Sequence, residues 1–180
     1  MGVIGKDFKY KVIKNFLSKD EVNFYSTYCE IKHRINYVDF DPIIRTADTF
    51  GKGDPAMDTL MLLKQKKMEE ETGKKLLPTY SYWRVYTKFA DLKKHTDRES
   101  CEISVTVSIN GDKPWPIYIN GKPITLDKGD AIIYLGRELE HWREEFDGDH
   151  QIQTFLHYVD ADGIYKDFYM DKRQYWGLFQ

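Results

Sequence analysis

The chain has 180 residues, with 27 basic and 29 acidic side chains and a formal net charge of -2, which excludes a polyelectrolyte and gives no sign of a nucleic-acid binder. Hydrophobic residues make up 41%, enough for one domain to bury its own core, and two cysteines, Cys29 and Cys101, do not make a disulfide framework. No apolar run reaches the ~18 residues of a membrane span or resembles a signal peptide, and MGVIGK lacks the Ser or Thr of the myristoylation pattern. The expectation is a soluble, cytoplasmic, single-domain protein spanning 1–180, away from membranes and with its oligomeric state open.

A first strand is expected in FKYKVIKNF, followed by Ser18-Lys19-Asp20-Glu21, where a Ser three residues before a Glu forms a capping box. Phe24, Tyr28, Ile31 and Ile35 recur at helical spacing and predict the buried stripe of that helix. Gly53-Asp54-Pro55 announces a second helix, with Asp as the cap and Pro in the first turn. It should turn Met57, Leu60, Met61 and Met68 inward and stop at Gly73, leaving KQKKMEEE as its wet face. These segments make residues 1–77 a helical support region.

From Pro78 to about residue 160 the pattern changes to short strands of period two. Strands are expected at Tyr80 to Lys88, Cys101 to Ile109, Ala131 to Leu135 and Gln151 to Val159, with a hairpin turn at Asn120-Gly121. Helices followed by an all-β remainder give a mostly β, α+β protein: a barrel or sandwich with helices packed on one side. In Cys101 to Ile109 the apolar residues alternate with Ser104, Thr106 and Ser108. Such a hydroxyl face suits a barrel lining that accepts a polar ligand, or else faces water.

His95-Thr96-Asp97 places an imidazole and a carboxylate two residues apart, on one side of an extended segment. If His141, at the end of the strand GDAIIYL, supplies a third donor from across the barrel, the set is two His and one carboxylate with three open positions. That arrangement suits iron(II) and oxygen, whereas a structural zinc site would leave no position open.

The succession YSYWRVYTKFADLKKHTD, CEISVTVSIN, WPIYING, KGDAIIYLGRELEHWREEF and GDHQIQTFLHYV resembles, over roughly the last hundred residues, the prolyl 4-hydroxylase-like branch of the 2-oxoglutarate/Fe(II)-dependent dioxygenases. The opening KNFLSKDEV is similar to that family's N-terminal segment. The resemblance implies a double-stranded β-helix, or jelly roll, with Fe(II) held by His95, Asp97 and His141. It implies 2-oxoglutarate and O2 as co-substrates, and hydroxylation of a C–H bond in a peptidyl (including prolyl) or small-molecule substrate with release of succinate and CO2. Tyr86 matches the tyrosine whose hydroxyl helps hold the co-substrate, with Ser108 on the lining beside it.

The sequence departs from the family where a basic residue normally binds the far carboxylate of 2-oxoglutarate, because that position is Gln151. Arg143, His150 and Arg84 are the candidate replacements, with Arg143 on the surface against Glu144 or Glu145 as the alternative. His157 either flanks the substrate or sits in the core. Trp115 is either packing or a lip of the entry, and Trp142 is expected behind the metal. Arg98 contacts substrate or pairs with Glu99 or Glu102. The segment DFYMDKRQYWGLFQ either packs on the barrel or mediates a dimer. Gln151 also leaves room for a non-catalytic cupin-like jelly roll, or for another metal-dependent chemistry on the same barrel, although no His-x-His of the cupin type occurs.

Overall fold

The structure is a computed structural model and describes residues 8–35, 44–50 and 53–178. Among these residues, nine strands and two α-helices follow one another as β1 (Tyr10–Ile13), α1 (Lys19–Arg34), β2 (Ile44–Phe50), α2 (Pro55–Thr72), β3 (Leu76–His95), β4 (Ile103–Gly111), β5 (Ile117–Ile119), β6 (Lys122–Ile124), β7 (Ala131–Tyr134), β8 (His141–Arg143) and β9 (His150–Asp160). All strand pairs are antiparallel, in the order β1-β7-β4-β9-β3-β8-β5-β6, with β2 on β3. The expected first strand, β1, and the unexpected β2 both come from the stretch read as helical support and join the sheet.

The sheet folds over on itself into a jelly roll, and β3 belongs to both layers. Its first part pairs with β9 from Leu76 to Thr87, and its last part pairs with β8 at Leu92 and His95. Between them Phe89 takes a positive φ of 70°, unusual for a bulky residue, and Phe89 N–H bonds the Phe146 carbonyl at 2.8 Å. Ile117, Ile119 and Leu139 of one layer pack on Ile132 and Tyr134 of the other.

The outer face of the larger layer is covered by the helices. Ile103, Val105, Val107 and Ile109 share one core with Met57, Leu60, Met61 and Met68 of α2, the four methionine and leucine side chains expected to point inward. Asp54 caps α2 through the N–H groups of Ala56 and Met57 and also receives the Tyr28 hydroxyl at 2.8 Å. Gly73 ends the helix at a left-handed φ of 70°. The Ser18–Glu21 capping box is present in both directions. Asn120 and Gly121 both have positive φ between β5 and β6, as a two-residue hairpin demands.

The stripe expected on α1 is not the buried one. Phe24, Ile31 and Ile35 are 59%, 58% and 69% exposed, while Tyr25 and Cys29 are buried. Two apolar stripes about one residue apart overlap on this helix, and the core takes Tyr25 and Cys29 with Val22 and, from the expected stripe, only Tyr28 packed against them.

The C-terminal segment packs on the barrel. Arg173 reaches the buried Asp58 of α2 at 2.8 Å and the Thr79 carbonyl at 3.1 Å, and Gly177 N–H also bonds Asp58. Asp58→Ala strands the Arg173 guanidinium in the interior and is expected to destabilise the protein by about 3–5 kcal/mol. A urea midpoint shift at unchanged slope would measure it. A loss below ~1 kcal/mol, the value of an exposed pair, would mean that packing alone holds the segment.

Candidate active site

The antiparallel register of β3 and β8 sets His95 directly opposite His141, with ring centroids 4.3 Å apart. Each ring is oriented by nearby backbone: His95 Nδ1 lies 2.7 Å from the Lys93 carbonyl and His141 Nδ1 2.9 Å from the Leu139 carbonyl. A carbonyl only accepts, so both rings donate from Nδ1 and leave the Nε2 lone pair available as a possible metal donor. Both Nε2 atoms face Asp97 Oδ1, at 3.6 and 3.5 Å, and the three donors lie within 4.8 Å of one another. Ligands held ~2.0–2.2 Å from one ion stand roughly 3 Å apart, so a small inward rotation brings all three onto a single cation.

Asp97 follows the end of β3, where its N–H bonds the Gly136 carbonyl at 2.8 Å. Burial pushes its carboxyl up, but the His141 and His95 imidazoles outweigh burial and hold it well below the usual carboxylate range. Burial lowers His95, yet the Asp97 carboxylate and the Lys93 carbonyl raise it overall. A pocket that favours positive charge between these rings favours a divalent cation for the same reason.

The inner face of the larger layer continues from this cluster into the barrel. Ser104, Thr106 and Ser108 are all buried and point away from the helix-facing core: Ser104 bonds Asp97, Thr106 lies 3.5 Å from the Tyr134 hydroxyl, and Ser108 lies 3.4 Å from Gln151 Nε2. Tyr86 is fully buried, with its ring edge-on to Trp115 at 4.9 Å and its hydroxyl 3.5 Å from Arg84.

Arg143 is not on the surface against Glu144 or Glu145; it is 3% exposed inside the barrel. It donates to the Trp115 carbonyl at 2.5 Å and to Gln153 Oε1 at 2.9 Å, and stacks on the Trp115 ring. Among the described residues no carboxylate pairs with it. Burial lowers its pKa to about 10, which still leaves a cation at neutral pH.

The other candidate cations are placed differently. His150 is 44% exposed in its side chain and faces Asp112, so it does not enter the barrel. Arg84 is buried, and its guanidinium stacks on Tyr82 and Phe155. Gln151 is buried against Ser108, with Oε1 lacking any hydrogen-bond partner. A cavity of about 180 Å³ opens beside Gln151, Ser108 and Lys113. It lies at the far end of β4 from Ser104, roughly 13 Å from the cluster at ~3.3 Å per residue.

Several neighbours differ from expectation. Trp142 does not pack behind the metal position. Adjacent to His141 on a strand, it points to the opposite face and stacks on Tyr118 at 5.2 Å under Lys94. Arg98 pairs with neither Glu99 nor Glu102; it makes a bidentate bond to Asp171 at 3.0 and 2.6 Å and stacks on Tyr80. Trp115 is packing, with Nε1 bonded to the Glu144 carbonyl. His157 is buried beside Ser104. Gly136, Gln153 and Tyr134 were not among the candidates. Of these only Gln153 had a signal, its even spacing with Gln151 and His157 on β9.

No protein-family model matches the sequence, and no curated protein matches it. Solved structures do share the fold. A viral collagen prolyl hydroxylase from Paramecium bursaria Chlorella virus-1, solved with 2-oxoglutarate, aligns at a TM-score of 0.66 and 17% identity over 87% of this chain and 98% of that one. A Trichoplax adhaerens prolyl hydroxylase in complex with a hypoxia inducible factor peptide aligns at 0.70 and 13% identity over 92% and 88%. HygX from Streptomyces hygroscopicus, with nickel, 2-oxoglutarate and hygromycin B bound, aligns at 0.67 and 15% identity over 86% and 84%. The jelly roll of this chain is that of the 2-oxoglutarate/Fe(II) oxygenases.

Gly136 is the tightest point around the cluster. A methyl group there would overlap Asp97 Oδ2 and stand 2.5 Å from the Cys101 carbonyl and 2.6 Å from Ser104 Oγ. Gly136→Ala is therefore expected to displace the carboxylate and cost the protein about 1–3 kcal/mol through overpacking. Divalent-metal affinity should fall with it in anaerobic titration. Unchanged affinity and stability together would show that the backbone here yields freely.

Proposed function

We propose that this chain is an iron(II)- and 2-oxoglutarate-dependent dioxygenase that hydroxylates a C–H bond of a peptidyl or small-molecule substrate, with release of succinate and CO2. The observation that carries the reading is the pairing of a three-donor cluster with a buried, acid-free guanidinium two residues along the same strand. His141 and Arg143 share one face of β8, their Cα atoms roughly 7 Å apart by strand rise. A cation sealed from water without a counter-ion is costly. A dicarboxylate that reaches from the metal position to Arg143 would supply the missing charge.

In this reading His95, Asp97 and His141 would hold the iron, a donor set of two imidazoles and one carboxylate that leaves room for the oxo acid and O2. Iron(II), when bound, supplies oxygen activation coupled to decarboxylation of the oxo acid. Arg143 binds the far carboxylate as a fork of N–H donors, and the Tyr86 hydroxyl helps orient it. Ser108 and Gln151 form the floor beneath. Trp115, Phe146 and Phe155, which pack around Tyr86, keep water from the co-substrate and so strengthen its contact with Arg143.

Gln151 was the residue that favoured a non-catalytic cupin-like module. With Arg143 inside the barrel, a neutral amide at position 151 no longer leaves the pocket without positive charge. The choice between peptide and small molecule stays with the two kinds of relative, since the neighbours include one complexed with a peptide and one with hygromycin B.

Two expectations follow from the role assignments. Formation of succinate from 2-oxoglutarate should require iron(II) and O2 and be abolished by His95→Ala or Asp97→Ala; full activity in either variant would remove the triad. Arg143→Gln should raise the 2-oxoglutarate requirement at least about 30-fold, the equivalent of ~2 kcal/mol for a buried charge pair. An unchanged requirement would transfer the role to Arg84.

A further inference from the structure

Asp97 uses its two oxygens differently. Oδ1 faces the two imidazoles, while Oδ2 accepts a hydrogen bond from Ser104 Oγ at 2.8 Å. Ser104 in turn lies 2.9 Å from His157 Nδ1, and the two residues are register partners on β4 and β9. A hydroxyl has one proton to give, and an ionised carboxylate can only accept. Because the anion is the stronger acceptor, Ser104 donates to Asp97 and accepts from His157 Nδ1–H.

The His157 ring is fixed for that task. Tyr80 and Tyr82 lie against it at centroid distances of 4.6 and 5.7 Å, and it is 3% exposed. Because Ser104 gives its one proton to Asp97, the proton between Ser104 Oγ and the ring sits on Nδ1. The far nitrogen, Nε2, is one of two buried side-chain atoms among the described residues without a hydrogen-bond partner. Asp97, Cys101 and His157 also fall within 4.8 Å of one another. Cys101 Sγ is engaged by the Tyr80 hydroxyl at 3.1 Å.

We propose that Ser104 and His157 act as a positioning dyad that holds Asp97 with Oδ1 turned toward the two imidazoles, in place to bind the metal. A carboxylate free to rotate would swing Oδ1 away from the imidazoles and have to be reordered when a cation binds. The chain His157 Nδ1–H to Ser104 Oγ–H to Asp97 Oδ2 ties the second oxygen to the sheet, and Gly136 closes the remaining side. The inference deepens the oxygenase reading and rests on its triad.

The test is anaerobic iron(II) titration of the full chain and of Ser104→Ala, His157→Phe, the double variant and His157→Asn, each checked for folding by metal-free thermal melting. Ser104→Ala and His157→Phe should each weaken iron(II) binding about 10- to 100-fold, as loss of a ligand-orienting partner does. The double variant should bind within roughly twofold of Ser104→Ala, because His157 acts only through Ser104. His157→Asn, whose amide N–H can reach Ser104, should recover most of the affinity. Affinity unchanged in Ser104→Ala, losses that add in the double variant, or Asn no better than Phe would each overturn the dyad. Should His157→Phe fail to fold, Ser104→Ala alone decides. A wild-type chain that binds no metal removes the triad and the dyad together, whereas wild-type binding with indifferent variants removes the dyad alone.

Discussion

The register of β3 against β8 is the constraint on which the site depends. Because β3 leaves β9 after Thr87, turns at Phe89 and rejoins the other layer at Leu92, its last residue lands opposite the first residue of β8. A slip of one position would send one of the two imidazoles to the outer face. The carbonyls of Lys93 and Leu139 then turn each ring, and Asp97, two residues beyond, needs only the Gly136 carbonyl to fold back between them. Two of the three donors therefore stand on hydrogen-bonded sheet, and the third is pinned just past its end.

The same parity organises the interior electrostatically. On β8, His141 and Arg143 face inward while Trp142 faces out. On β9, Gln151, Gln153, Phe155 and His157 line the inside, and on β4 the hydroxyl residues do. Polar groups this deeply buried need partners, and most have them: Asp97 has Ser104, Gln153 has Arg143, and Gln151 Nε2 has Ser108. The guanidinium of Arg143 has hydrogen bonds but, among the described residues, no counter-charge, and the dicarboxylate proposed as co-substrate would complete the set.

Much of this was legible in the residues, for identifiable reasons. The hydroxyl face of β4, the caps of both helices and the Asn120-Gly121 turn are local chemistry, and each stands where its pattern placed it. Arg143 could be nominated from its i+2 relation to His141, and its burial against Trp115 could not be foreseen because the partner comes from a distant loop. Helix α1 shows the limit of periodicity: two overlapping stripes fit the spacing, and which one is buried depends on the tertiary core that Tyr25 and Cys29 join. Gly136 carries no signal in isolation, since its role is close approach to a carboxylate from another segment. The turn at Phe89 was equally hidden, as nothing about a phenylalanine announces a positive φ.

The claim at the centre of this account is that His95, Asp97 and His141 hold iron(II) with room beside it for a chelating 2-oxo acid. Anaerobic addition of iron(II) and then 2-oxoglutarate tests it most directly, by the weak visible charge-transfer band of a chelated oxo acid. The account predicts a band in the wild-type chain that disappears in His141→Ala. Bound metal with no band on adding 2-oxoglutarate would contradict it and turn the reading to a metal-binding jelly roll of different chemistry.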